Sequence, residues 1–238
     1  MAWRKTRDPY KILVSEVMLQ QTQVPRVEGK YREFLKAFPN VRTLEKAPLA
    51  EVLKVWSGLG YNRRAKFLHD AAKEVVLKHA GNMPRDIDAL LALPGVGEYT
   101  AKAVRIFAFN EPEVLIETNI RTVFIHYFYS SVLQKTRIRD EKIVPLARAA
   151  AKKQDPREWY FALMDYGAYL KASGVRLNAR SAHYAKQSKF EGSLRQVRGE
   201  ILKAIAKEAP LTEVKMKYSN RFEPAFTSLL REGLVEKR

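Results

Sequence analysis

Between residues 85 and 109 the chain reads as two amphipathic helices joined by Leu93-Pro94-Gly95-Val96-Gly97, and few folds accommodate that join. Arg85 to Leu93 carries apolar residues at helical spacing, and Glu98 to Phe109 continues with Ala101, Val104 and Ala108 on one face. Glycines allow the tight turn and let a ligand approach the backbone. The N–H groups that open the second helix lie at the positive end of its dipole and favour an anion. Taken alone, the pattern suits a plain αα-hairpin equally well. The charge balance points to a polyanion: Lys and Arg number 43 against 26 Asp and Glu, a net +17.

Several classes are excluded. No stretch approaches the roughly 20 apolar residues of a bilayer span, and the basic residues do not gather on one amphipathic helix, as membrane-surface binding requires. Met1-Ala2-Trp3-Arg4-Lys5 has no apolar signal core, so a cytoplasmic, nucleoid-associated address is expected. Without cysteine the chain has no disulfide and no thiolate-held zinc or iron–sulfur cluster. The four histidines are scattered without metal-ligand spacing, so no protein-ligated metal is expected.

Elsewhere almost every segment reads as helix, and convincing alternating strands are missing. Asp8-Pro9 opens a helix that ends near Gln21-Thr22, and Pro25 opens the next. Leu44 to Ala47 and Leu49 to Trp56 are short helices, stopped by Gly58 and Gly60; Arg63 to His79 is a regular one. Thr118-Asn119 is expected to cap a helix through Ile120, Val123 and Phe124, followed by helices at 142–153 and 159–170. The fold class is therefore all-α. Composition shifts near Lys171, so the expected division is a core over 1–170, a basic linker over 171–191 and a small helical module over 192–238. Three helices and a short strand at Gly233-Leu234-Val235 would give that module a winged-helix character.

Two glutamates stand out chemically. Glu16 lies among Val14, Val17 and Leu19, where a charged group is costly unless it has a task. Desolvation raises a carboxyl pKa and keeps a proton available near neutrality. Glu117 follows the apolar run Val114-Leu115-Ile116 at the start of a helix, a place that favours a carboxylate in its charged form. One acid and one anion are what hydrolysis of a glycosidic bond requires. Singly, a Glu16 paired with an arginine such as Arg4, or a Glu117 that merely caps its helix, would explain the same residues.

Four motifs in order resolve this. Val14-Ser15-Glu16-Val17-Met18-Leu19-Gln20-Gln21-Thr22-Gln23-Val24, Trp56-Ser57-Gly58-Leu59-Gly60-Tyr61, Leu93-Pro94-Gly95-Val96-Gly97 and Ile116-Glu117-Thr118-Asn119-Ile120-Arg121 together resemble the helix-hairpin-helix DNA glycosylases. The likeness is to their adenine DNA glycosylase (MutY) branch and spans Trp3 to Leu170. It implies that Glu16 protonates adenine at N7 and that Glu117 stands where the family has its catalytic aspartate. It implies that Asn119 hydrogen-bonds near the reacting sugar, and that Tyr99 replaces the Schiff-base lysine of endonuclease III-like relatives, which argues for a monofunctional enzyme. Gln21 and Thr22 would fill the gap left by an everted base, while Leu59, Gly60 and Tyr61 would wedge against the orphan guanine. Leu93, Gly95, Val96, Gly97, Thr100 and Arg4 would contact DNA, with a monovalent cation on the hairpin carbonyls. The implied partner is double-stranded DNA with a mismatch or an oxidised guanine, bound by a monomer.

The sequence departs from that pattern in four ways. Glu117 is one methylene longer than aspartate. The four cluster cysteines are absent, and Lys171, Arg176, Arg180, Lys186 and Lys189 are expected to contact the DNA backbone there instead. Residues 192–238 are too few for the Nudix-like domain that reads 8-oxoguanine, and the helix that precedes the Trp-Arg pair in relatives is not in this sequence. Two other functions compete: a thymine or uracil glycosylase for G·T and G·U mismatches, and a DNA-binding protein without catalysis.

Overall fold

A computed structural model describes residues 1–130, 136–184 and 189–236. The fold is all-helical; among the described residues the only β pairing is an isolated bridge between Ile138 and Ser181. No described helix is long and apolar enough to cross a membrane. The chain divides into two compact units, one of Met1–Val96 with Gln187–Arg238, the other of Gly97–Lys186.

The first unit begins with a 3-10 turn at Ala2–Lys5, then α1 (Pro9–Leu19), α2 (Val24–Ala37), α3 (Val41–Lys46), α4 (Leu49–Trp56), α5 (Arg63–His79) and α6 (Ile87–Leu91). Asp8 caps α1 by accepting the N–H groups of Tyr10 and Lys11 at 3.0 and 3.2 Å. Eight of the eleven α1 residues are buried, so the helix runs through the interior and not along a face. Around it the aromatic core is built edge to face: Trp3 on Tyr31 and Phe34 on Trp56, with centroids 5.4 and 5.9 Å apart.

The second unit holds α7 (Glu98–Phe109), α8 (Thr118–Phe128), α9 (Asp140–Ala151) and α10 (Pro156–Ala172), with Ile106, Leu115, Ile120, Ile125, Ile138, Ile143 and Tyr160 at its centre. Its tightest approach is α8 on α10. There a Cβ built on Gly167 would lie 2.3 Å from the Asn119 carbonyl oxygen.

After the second unit the chain returns to the first as α11 (Leu194–Ala206), α12 (Thr212–Lys217) and α13 (Ser219–Arg231). Val197, Ile201, Phe222, Ala225 and Leu229 form a core of their own, against which Leu53 of α4 packs. The expected strand at Gly233-Leu234-Val235 does not form. Gly233 turns the chain at φ +64°, and Leu234 and Val235 fold back into that core in place of extending as a wing.

Two further expectations are corrected. The cap of α8 is Glu117, not Thr118-Asn119. Part of the 171–191 segment is also anchored: a 3-10 turn at Asn178–Arg180 leads to the bridge, with Ile138 N–H on the Arg180 carbonyl at 2.7 Å. Arg180 is therefore buried and not a surface cation, while Arg176 and Lys189 are exposed. Lys186 lies outside the described residues.

Candidate functional site

Glu16 sits in the penultimate turn of α1 with only 6% of its surface exposed. The desolvation expected from its apolar neighbours is present. Three residues further on the helix ends at Leu19, and Gln21 adopts a left-handed φ of 54°. Gln21 is exposed and Thr22 half-buried.

Arg64, on α5, organises this end. Its Nη1 donates to the carbonyls of Val17, Met18 and Gln20 at 2.7, 3.0 and 2.6 Å. Its Nη2 donates to the Thr22 hydroxyl and the Gly60 carbonyl at 3.1 and 3.2 Å. One guanidinium thus satisfies the last carbonyls of α1 and ties the Gln20–Thr22 turn to the Gly58–Tyr61 loop. Burial lowers its pKa to about 10, which leaves it charged at neutral pH.

That second loop is tightly specified. Gly58 and Gly60 take φ of +97° and +71°, and Trp56 Nε1 donates to the Gly60 carbonyl at 3.1 Å. Tyr61 holds a positive φ of 48°, costly for a bulky residue. Its ring lies near two guanidinium groups, Arg64 at 5.4 Å and Arg195 at 5.6 Å, and Arg195 donates to its hydroxyl at 2.5 Å. Leu59 is 2% exposed, a core side chain, so of the expected wedge only Gly60 and Tyr61 offer surface.

The hairpin turn forms as its glycines suggest. Val96 N–H bonds the Leu93 carbonyl at 3.1 Å, and Gly95 sits at φ +73° with Phe67 Cβ only 2.5 Å from where its own Cβ would stand. Gly97 caps α7 without a side chain, and it, Gly95 and Glu98 are exposed. The side chains of Leu93, Val96 and Thr100 are buried, so they shape the turn and leave contact to its backbone. Tyr99 is the second residue of α7 and half-buried, as is Arg4 in the N-terminal 3-10 turn. A cavity of about 20 Å³, lined by Leu13, Val17, Arg64, Phe67, Pro94 and Gly95 among others, has room for one water and not for a base.

In the second unit Glu117 occupies the N-cap of α8. Its Oε1 accepts the N–H groups of Asn119 and Ile120 at 2.7 and 3.0 Å. The extra methylene is thus accommodated, and the side chain caps as an aspartate would. The segment leading to it is strapped by Tyr160, whose hydroxyl accepts from Leu115 N–H and donates to the Glu113 carbonyl, both at 3.0 Å. The charged form was expected to dominate, but burial raises the Glu117 pKa. The two N–H groups, Lys171 and Arg121 oppose that rise without cancelling it. Lys171, expected on the DNA backbone, instead donates to Asn119 Oδ1 at 2.5 Å. Neither Tyr160 nor Lys171 carries a sequence signal for this role beyond being polar residues of α10.

Known proteins resemble this chain along its length. Residues 14–148 match the model of the HhH-GPD superfamily base excision DNA repair protein. An adenine DNA glycosylase of Mycolicibacterium smegmatis is 34% identical over 261 aligned residues, which cover all of this chain and 88% of that protein. A thymine/uracil-DNA glycosylase of Methanothermobacter thermautotrophicus is 32% identical over 169, covering 71% and 76%. Among solved structures, a thermostable thymine-DNA glycosylase superposes with a TM-score of 0.64 at 29% identity, covering 77% of this chain and 88% of that one.

Proposed function

We propose, from the premise that this chain belongs to the HhH-GPD superfamily of base excision DNA repair proteins, that it hydrolyses the N-glycosidic bond of adenine mispaired with guanine or 8-oxoguanine. The chain is a DNA glycosylase, and adenine opposite guanine or 8-oxoguanine is its proposed target. Glu16 carries this reading: a glutamate buried in α1, four residues before the Gln20–Thr22 turn begins.

With the base everted, Glu16 gives its proton to adenine N7. The C1′–N9 bond then breaks with its electron pair going to a neutral leaving base. Glu117, whose Oε1 is held by two N–H groups, presents Oε2 to the cationic sugar. Water adds at C1′ and loses a proton. Tyr99 has no amine to form an imine, so the enzyme is read as monofunctional. Gln21, Thr22, Gly60 and Tyr61 replace the everted base and meet its orphan partner, while the backbone of Gly95 and Gly97 takes a DNA phosphate. A monovalent cation on the hairpin carbonyls belongs to the same reading. A chain with no cysteine runs this chemistry without an iron–sulfur cluster.

A second reading, release of thymine or uracil opposite guanine, is supported by Tyr99 and by the likeness to the two thymine-directed relatives. The test is base release from A·G, A·8-oxoguanine, G·T and G·U duplexes by wild type and Glu16→Gln. Adenine release should fall by two orders of magnitude or more in the variant, as loss of a positioned acid implies, about 10²–10⁴-fold. Undiminished adenine release removes Glu16 as the acid. Pyrimidine release alone establishes the second reading, and no release from any duplex leaves a DNA-binding protein.

A further inference from the structure

At Gly167 the backbones of α8 and α10 come too close for any side chain to stand between them. One turn further along α10, this approach sets Lys171 over Asn119, with Nζ on Oδ1 at 2.5 Å. The backbone N–H of the same Asn119 donates to Glu117 Oε1 at 2.7 Å. Asn119 thus meets the ammonium through its side-chain oxygen and the carboxylate through its backbone N–H, at the start of α8.

Within the second unit the cations that act on Glu117 are Lys171 and Arg121. From α8 itself comes Arg121, already held by α9 in a two-point pair with Asp140, both contacts 2.7 Å; His183 lies 3.6 Å from the same acid. The 3-10 turn at Asn178–Arg180 meets α8 through Asn178 and the Thr122 hydroxyl at 3.2 Å, and its Arg180 is buried. From α10 comes Lys171. Among the described residues no carboxylate oxygen lies within ion-pair distance of its Nζ, and its hydrogen bond is to a neutral amide. Burial lowers the Lys171 pKa and Glu117 raises it again; burial raises the Glu117 pKa, and the two N–H groups, then Lys171, lower it.

We infer that Lys171 is a positioning residue for base removal: seated on Asn119, it is the counter-charge that holds Glu117 as an anion when the sugar cation forms. The inference rests on the reading of Glu117 as the group that meets that sugar. It assigns to a lysine, in a segment expected only to touch phosphate, a part in setting the pH range of the reaction.

The sign follows from the chemistry. Activity requires Glu117 ionised, so the rate climbs with pH through its pKa. Taking away a nearby cation raises that pKa and moves the climb to higher pH. Single-turnover adenine release across a pH series is measured for wild type, Lys171→Met and Lys171→Arg. In Lys171→Met the ascending limb should move up by about one pH unit or more with duplex affinity retained; Lys171→Arg should restore it. A slower rate with an unmoved limb means a merely structural lysine, and weaker duplex binding with an unmoved limb means a phosphate contact. Either result overturns the inference. Should wild type release no base, the glycosidic reading of Glu117 fails separately, and the Lys171–Glu117 coupling is read by NMR titration of labelled glutamate carboxyls. An upward move of the Glu117 titration in Lys171→Met upholds the coupling; no move refutes it.

Discussion

Arg64 shows how a basic residue in a strongly basic chain can be occupied entirely within the protein. From sequence it is one of 43 cations and follows a loop expected to touch DNA, so a phosphate contact is the natural expectation. Yet it is 9% exposed, and its donors reach three carbonyls at the end of α1, the Thr22 hydroxyl and Gly60. Arg64→Ala would leave buried carbonyls without donors. The expected loss is about 3 kcal/mol or more, read as a fall in urea midpoint with an unchanged slope. Lys substituted at the same position should recover only part of it, because an ammonium cannot span the fork of acceptors that a guanidinium reaches. Glu16 is the contrasting case. Its burial is legible from its apolar neighbours Val14, Val17 and Leu19.

Helices were the most legible level, and their ends show why. α5 and α7 run over Arg63–His79 and Glu98–Phe109 as spacing implies, because Ala80 and Asn110 turn left-handed and stop them. The start of α8 is less legible. Thr and Asn are the usual caps, but a glutamate one residue earlier folds its longer side chain back onto the same N–H groups. The contact of Lys171 with Asn119 could not be read at all: the two are 52 residues apart, and only the approach of α10 to α8 brings them together. That approach makes a prediction of its own. Gly167→Ala must push the two helices apart, at a cost of about 1–3 kcal/mol, and should slow catalysis by displacing Glu117. Gly199→Ala in α11, where nothing lies within 4 Å, should instead gain up to about 1 kcal/mol from helix propensity. Opposite shifts in thermal midpoint for the same substitution would separate the two; equal shifts would mean that contact at Gly167 is not tight.

Across the whole molecule, a net +17 should govern affinity for DNA through displaced counterions. If six to ten phosphates are engaged, binding to an undamaged duplex should weaken by about 10³–10⁵-fold between roughly 50 and 200 mM salt. A flat salt dependence in a filter or anisotropy titration would show that the basic surface faces solvent. At this scale the all-α class was legible in the sequence. The run of basic residues after Lys171 reads as a boundary, whereas the contacts divide the chain at Val96 and return its last helices to the first unit. Nothing local encodes that return. It depends on Leu53 meeting the α11–α13 core and on Arg195 reaching Tyr61, 134 positions away. A consequence follows for biosynthesis. On the ribosome, which adds about 5–20 residues each second, residues 1–96 emerge well before the segment that completes their unit. For several seconds Leu53 and the Tyr61 loop therefore wait without the α11–α13 residues that pack against them.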